Sequence, residues 1–566
     1  MDPIPVEGFS PGSLAQDRTG FKFLRPVFRD FGFLVDGRAN VLSDRAPSNW
    51  VDSSHSNVVR CSTRLHRPAI LERDPASQTE AFIASTDSWP YLQPFLEGVP
   101  GILQSPVRQD TSSPPIGETA MMRALRRLLL ATTMAVVVTP GTAPAASRYE
   151  QWQTGKPFII GAMYYDLAYG PVWWKPMPKA FRGDPHIDVL RQAGLNLLDD
   201  VSMSAGGHTW YPGLRTARQQ KLSFMILGGP WEPFEHFQTR VNWFADDPKF
   251  FGVQLADEPQ EPKNQQVHRR QHLWIEKTHP RLLTLICESL TNTPAWESEW
   301  AAIKCDAIIY QWYPYDTSDG RSPRITDQIF ACLERAARFC ESRGLGFFVA
   351  RGIRSRPKSE STLRLNTYAA LAAGCRGFVD FTWGAGSPDS GYVWYKDKSY
   401  QGPSRRFQVL AKINREVAHL GRCLLKLRAV RTYHVDLRTH LTWAGRNYGF
   451  DEPDKLRTGQ LIAVEGSKTE RAPRLMVGCF RDSADEEYFL VVNKRESRAV
   501  DVDHDRLAQP VTLRFRDDVT AVERISRETG KIERLPVKDG VLQFTLPGGT
   551  GDLLKVSNGK PFAGIK

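Results

Sequence analysis

Cysteine is scarce in this chain and badly placed for metal. Eight occur in 566 residues, with no Cys-x-x-Cys pair and no His/Cys cluster at zinc-ligand spacing. That argues against a zinc module, and no metal or other cofactor is expected. Outside Cys61 the thiols are Cys287, Cys305, Cys332, Cys340, Cys375, Cys423 and Cys479, an odd number that leaves at least one unpaired. Several stand in apolar, strand-like runs, so buried free thiols are expected. A dense basic stripe is also missing. The net charge is +11, but Lys and Arg are scattered and often sit beside Asp or Glu, unlike a nucleic-acid binder. The basicity is compatible instead with an acidic substrate or surface. There is no internal repeat. No Gly-rich phosphate loop follows the first strand-like run, which continues "GAMYYDLAYGPVWW".

Long apolar runs are rare too, and the one informative case is internal. "MMRALRRLLLATTMAVVVTPGTAPAAS" starts at Met121 with a basic stretch (Arg123, Arg126, Arg127). An apolar segment over 128–138 follows, then small residues in an Ala-x-Ala pattern at Ala143 and Ala145. This is the layout of a bacterial secretory signal. The segment is too short for a stable membrane span. Residues 121–146 are therefore expected to be removed near Ala145, delivering a secreted or periplasmic protein. Residues 1–120 lack sustained helical or strand periodicity, as in "TSSPPIGET". They read as a doubtful extension upstream of a start at Met121 or Met122, or as a disordered leader.

Over 150–422 the chain alternates short apolar runs with helix-patterned segments. The strand candidates are 158–165, 195–201, 222–229, 250–257, 282–289, 306–313, 345–352 and 377–384. Near-continuous apolar strands separated by helices predict a (β/α)8 TIM barrel, because such strands are buried on both faces. A doubly wound open sheet is the main alternative. Over 423–566 the pattern changes to short strands between turns, such as "EEYFLVVNKRES" and "PVTLRFRDDV". That predicts an antiparallel β-sandwich accessory domain.

A TIM barrel carries its chemistry at the C-terminal ends of its strands. The residues there are mostly aromatics and carboxylates. Trp174 follows the first strand, Trp210 the second and Trp231 the third. Asp257 and Glu258 end the fourth, in "GVQLADEPQ", and Glu288 ends the fifth. Tyr310 and Trp312 lie on the sixth, Arg351 on the seventh, and Asp380 and Trp383 on the eighth. Sugar rings stack their C–H faces on aromatics and need polar partners for their hydroxyls, so the expected partner is a carbohydrate. Side chains alternate along a strand, so Asp257 and Glu258 cannot both face the barrel. The expectation is that Asp257 turns to backbone or neighbouring donors and Glu258 projects into the cleft. A Glu held against apolar surface has its pKa raised toward that of a general acid.

"LADEPQ" after a fourth strand resembles the clan A glycoside hydrolases, the superfamily of families 5 and 42, whose fourth strand ends in Asn-Glu. The resemblance covers about 160–420. It implies a divergent glycosidase barrel with Glu258 as acid/base and Asp257 in the place of the Asn. Trp383 matches the clan's strand-eight aromatic. The chain departs from the pattern at "FFVARGIRS", where the clan's nucleophilic Glu is replaced by Ala350 and Arg351. Glu288 and Asp380 are the substitutes to consider, and Arg351 is a candidate to bind a substrate carboxylate or pair with Glu258. Three readings follow: a secreted glycoside hydrolase, a non-catalytic carbohydrate-binding protein on a degenerate barrel, and a structural cell-surface protein.

Overall fold

The computed structural model describes residues 146–164, 188–200, 217, 221–230, 232–289, 296–313, 327–353, 359–396, 399–435, 442–443, 446–447, 456, 458–466, 474–497, 499 and 503–565. Strands β1 (Ile159–Tyr164), β2 (Leu197–Asp200), β3 (Ser223–Leu227), β4 (Phe250–Asp257), β5 (Leu283–Glu288), β6 (Ala307–Trp312), β7 (Gly346–Arg351) and β8 (Gly377–Asp380) close into a parallel barrel in chain order. β8 returns onto β1, from Ile159 opposite Gly377 to Ala162 opposite Asp380.

Strand alternation divides the apolar residues between two cores. Met163, Leu197, Met225, Phe251, Leu285, Cys287, Ile309, Phe348, Ala350 and Val379 fill the barrel interior. Their neighbours, among them Ile160, Leu198, Phe224, Ile286, Ile308, Val349 and Phe378, pack outward into the helix layer. Both faces are buried, which is why the strands read as unbroken apolar runs. The short helix α1 (Arg148–Gln153) stoppers the N-terminal end. Ser147 and Glu150 form a reciprocal capping box, and Tyr149 and Trp152 join the interior core. Trp152 meets Phe251 edge-on at 4.4 Å.

The described outer helices are α2 (Asp188–Gln192), α3 (Phe234–Phe244), α4 (Pro262–Thr278), α5 (Trp296–Ile303), α6 (Asp327–Ser342), α7 (Glu360–Ala372) and α8 (Phe407–Leu424). A small sheet, unforeseen in the sequence, is inserted after β8 and consists of β9 (Gly384–Ala385), β10 (Val393–Lys396) and β11 (Ser399–Pro403).

The C-terminal part is antiparallel. β12 (Arg428–His434), β16 (Leu475–Arg481), β17 (Glu487–Asn493), β22 (Gly551–Val556), β19 (Ala521–Ile525) and β20 (Ile532–Pro536) form one sheet in that order. β15 (Leu461–Gly466), β18 (Gln509–Phe515) and β21 (Val541–Leu546) form the second, and β13 (Thr442–Trp443) pairs with β14 (Arg446–Asn447). Val477, Phe489 and Val491 face Val511, Leu513, Phe515 and Leu542 across the sandwich core. The opposite face of the larger sheet, with Met476, Tyr488, Leu490 and Leu553, packs into the helix layer of the barrel. As a result every residue from 361 to 372 in α7 is buried. The approach is close at Gly478, where a Cβ would lie 2.2 Å from the Ala372 carbonyl. Buried polar groups reinforce the join. Arg364 and Tyr368 of α7 bind Glu416 of α8 at 2.7 and 2.6 Å, and Glu334 of α6 meets His434 of β12 at 2.5 Å.

Candidate active site

The end of β4 departs from simple alternation. Gln254 lies opposite Leu285 and Ala256 opposite Ile286, so Leu255 is an extra residue in a β-bulge. Asp257 then lies opposite Cys287, a member of the interior core. The bulge therefore puts Asp257, rather than Glu258, in the inward-facing column. Asp257 is exposed at the C-terminal end of the barrel, and Gln311 of β6 donates to its Oδ1 at 2.9 Å. The protein packed around the carboxyl raises its pKa, and the hydrogen bonds from Cys287 and Gln311 oppose the rise.

Glu258 ends the strand in the left-handed region, at φ 49°. Its N–H donates to the Cys287 carbonyl at 2.8 Å, and its own carbonyl accepts from the Gln260 N–H at 2.8 Å. The residue is half-buried and Pro259 behind it is buried. The adjacent carboxylates are thus directed differently by a bulge and a reversed φ.

Glu288 follows Cys287 on β5, so it faces away from the barrel axis, into the helix layer. It is only 1% exposed, and neither carboxylate oxygen meets a donor among the described residues. Its carboxyl partner is Glu299 of α5, itself 3% exposed. Burial, then the Glu299 carboxyl, then Glu258 and Asp257 hold Glu288 well above the ordinary carboxylate range. Burial also raises Glu299. Enclosure in the helix layer sets Glu288 apart from a group that attacks substrate directly.

Several residues named as sugar contacts serve packing instead. Tyr310 and Trp312 share the outward parity of Ile308, and both are 2% exposed in the helix-layer core. Trp312 packs near Phe330 and Tyr310 near Phe347. Trp383 is fully buried and stacks on Tyr392 at 5.8 Å. Arg351 and Asp380 form a bidentate ion pair at 2.6 Å on both arms, with each side chain at most 2% exposed. Arg351 also donates to Thr367 of α7 and Asn414 of α8, both at 2.8 Å. Burial works against its charge, and Asp380 and Tyr392 outweigh it, holding Arg351 firmly protonated. Parity turns Tyr310, Trp312, Arg351 and Asp380 outward, whereas Trp383 lies beyond β8 and is buried against Tyr392. Trp174, Trp210 and Trp231 lie outside the described residues.

Parity also sorts the other residues at these strand ends, among them Gln311, which the sequence reading did not single out. Gln311 and Tyr313 take the inward positions on either side of Trp312. Tyr313 pairs with Phe381 at 5.8 Å, both half-buried against the interior core. Asp199 of β2 is buried with the same inward parity and acts on the Cys287 thiol. At the end of β7 the inward positions are Ala350 and Gly352, which bring no carboxylate.

The seven described cysteines are free and buried. Among the described residues, three candidate metal-ligand atoms converge only at Asp503, His504 and Asp505 in the sandwich, not at the barrel carboxyls. A separate cavity of about 740 Å³ lies at the opposite, N-terminal end of the barrel, beside Tyr149, Lys156, Asn196 and Arg376. The clustered carboxyls Asp257, Glu258 and Glu288 lie at the other end, where TIM barrels carry their sites.

No protein-family model and no curated protein matches the chain. Similar solved structures include Saccharomyces cerevisiae Gas2p in complex with laminaritriose and laminaritetraose, at 14% identity and TM-score 0.32, covering 46% of this chain and 65% of that one. The chain thus spans just under two thirds of Gas2p. Another is AmyB, a noncanonic maltogenic α-amylase from Thermotoga neapolitana, at 10% identity and TM-score 0.38, covering 71% of this chain and 99% of that one. The TIM-barrel class itself rests on the strand order and closure described above.

Proposed function

We propose that the chain is an exported glycoside hydrolase acting on O-glycosidic bonds of an oligo- or polysaccharide. The observation that carries this reading is the Asp257 carboxyl, turned inward at the C-terminal end of the barrel, hydrogen-bonded by Gln311 and adjacent to Glu258. Glycoside hydrolysis needs a proton donor at the leaving oxygen and a second carboxylate. The bulge favours Asp257 as the donor, with Glu258 as the second carboxylate, exchanging the roles that the resemblance implies. Tyr313 and Phe381 offer ring faces for a sugar. Export is supported by the secretory pattern over 121–146, and N-terminal sequencing of the natural product tests it.

The functional test is a glycan panel with wild type, Asp257→Asn and Glu258→Gln. Loss of a positioned acid or base lowers turnover roughly 10²–10⁴-fold. Unchanged hydrolysis in both variants overturns the assignment. The second reading, a carbohydrate-binding protein without catalysis, is favoured by the side-chain-poor inward end of β7. It gains if panel members bind but none is cleaved.

A further inference from the structure

Glu288 and Glu299 come from different elements, β5 and α5, and meet in the helix layer behind the proposed acid–base pair. Both are nearly sealed from solvent, at 1% and 3% exposed. Among the described residues, both oxygens of Glu288 and Oε2 of Glu299 lack a donor. Two ionised carboxylates in that arrangement would repel each other while cut off from bulk solvent. The remaining candidates for compensation are a cation or a proton.

The groups acting most strongly on Glu288 are Glu299 of α5 and Glu258 and Asp257 of β4, all acidic. The thiols of Cys287 and Cys305 are coupled to it as well. On neighbouring α6, Arg335 is engaged by Glu297 at 2.7 Å. A metal ion needs converging ligand atoms, and among the described residues such convergence occurs only at Asp503, His504 and Asp505. A shared proton satisfies both carboxyls at once, since a protonated carboxyl donates to an ionised one.

We propose that Glu288 and Glu299 share one proton at neutral pH and act as a charge-setting pair behind Asp257 and Glu258, with Glu299 a positioning residue. The pair then carries one negative charge instead of two. That limits the repulsion felt by Asp257 and Glu258, so either of them can ionise without adding to a fully charged cluster. The titration belongs to the pair as a unit rather than to either residue. Its use in catalysis rests on the glycosidase reading, but its existence does not.

Isotope-edited infrared spectroscopy of the full chain with carboxyl-labelled glutamate tests the pair without any substrate. Wild type is expected to show a protonated glutamic-acid carbonyl band at neutral pH. Glu288→Gln should abolish it, because the new amide still donates to Glu299 and holds that carboxyl ionised. In Glu299→Gln the new amide donates to Glu288, so the band should disappear at a lower pH than in wild type. The proposal is overturned if wild type lacks the band, if Glu288→Gln retains it, or if Glu299→Gln leaves its titration midpoint unchanged. Failure to cleave any glycan sinks the enzymatic reading and leaves this result intact.

Discussion

At the β7–β8 rim, Arg351 finds Asp380, Thr367 and Asn414 within 2.6–2.8 Å. At the β4–β5 rim, Glu288 finds three other carboxyls and no donor among the described residues. Both groups are buried and charge-bearing, and both come from the ends of barrel strands. One is compensated on every side and ties β7 and β8 to α7 and α8. The other is left with like charges, a costly arrangement that packing alone does not call for. The contrast separates charge used to build the barrel from charge available for proton chemistry.

The sharpest break in this contrast comes from Arg351→Ala, which removes the cation paired with buried Asp380 and leaves it the Tyr392 hydroxyl as a donor. The expected loss is about 3–5 kcal/mol in denaturant unfolding, while replacing the pair with Arg351→Met and Asp380→Leu together costs far less. A loss no larger than for a surface substitution would refute the structural role.

Glu288→Gln works in the opposite direction. The Glu288 pKa is raised in the folded chain, so its contribution to stability is fully present below about pH 4.3, where the unfolded chain is also protonated. It is lost as pH rises, because the unfolded chain releases the proton and the folded one resists. The amide removes that slope, and unfolding at pH 8 should show the variant more stable than wild type by roughly 1–3 kcal/mol. A variant that keeps the wild-type pH slope would contradict this.

The smallest effect is expected from Gln311→Ala. It removes the donor that opposes the rise in the Asp257 pKa, so the Asp257 titration midpoint should move to higher pH by NMR. Water at exposed Asp257 replaces much of the lost bond, so the stability cost should stay at about 0.5–1.5 kcal/mol or below. An unchanged midpoint would mean that the 2.9 Å contact is electrostatically idle.

Much of the barrel was legible in the sequence. Strands buried on both faces must be apolar throughout, and each of β1–β8 falls within a run picked out by that rule. The sandwich was legible from alternation and turns. The small sheet β9–β11 was not, because Gly384 and Ala385 offer no periodicity. The site was legible only in part. Asp257, Glu258 and Glu288 stand out by strand-end position, which leaves their roles open; Tyr310, Trp312, Arg351 and Asp380 face the helix layer, and Trp383 is buried beyond β8. Parity within each strand would have moved Tyr310 and Trp312 outward beside Ile308. Glu299 had no signal, since a glutamate in "WESEWAAI" reads as an ordinary solvated helix residue.

The sequence by itself determined that the chain builds a closed parallel barrel followed by a sandwich, because apolar periodicity follows directly from which faces must be buried. It also determined which strand ends carry carboxylates. Only the tertiary structure decided which carboxylate faces the mouth and which pairs with what. The Leu255 bulge shifts β4 by one residue relative to β5 and turns Asp257 inward. Burial of α5 against β5 brings Glu299 to Glu288 across a gap that local sequence cannot encode. Register and helix docking depend on contacts between distant segments, so the same residues in an isolated strand would carry no such assignment.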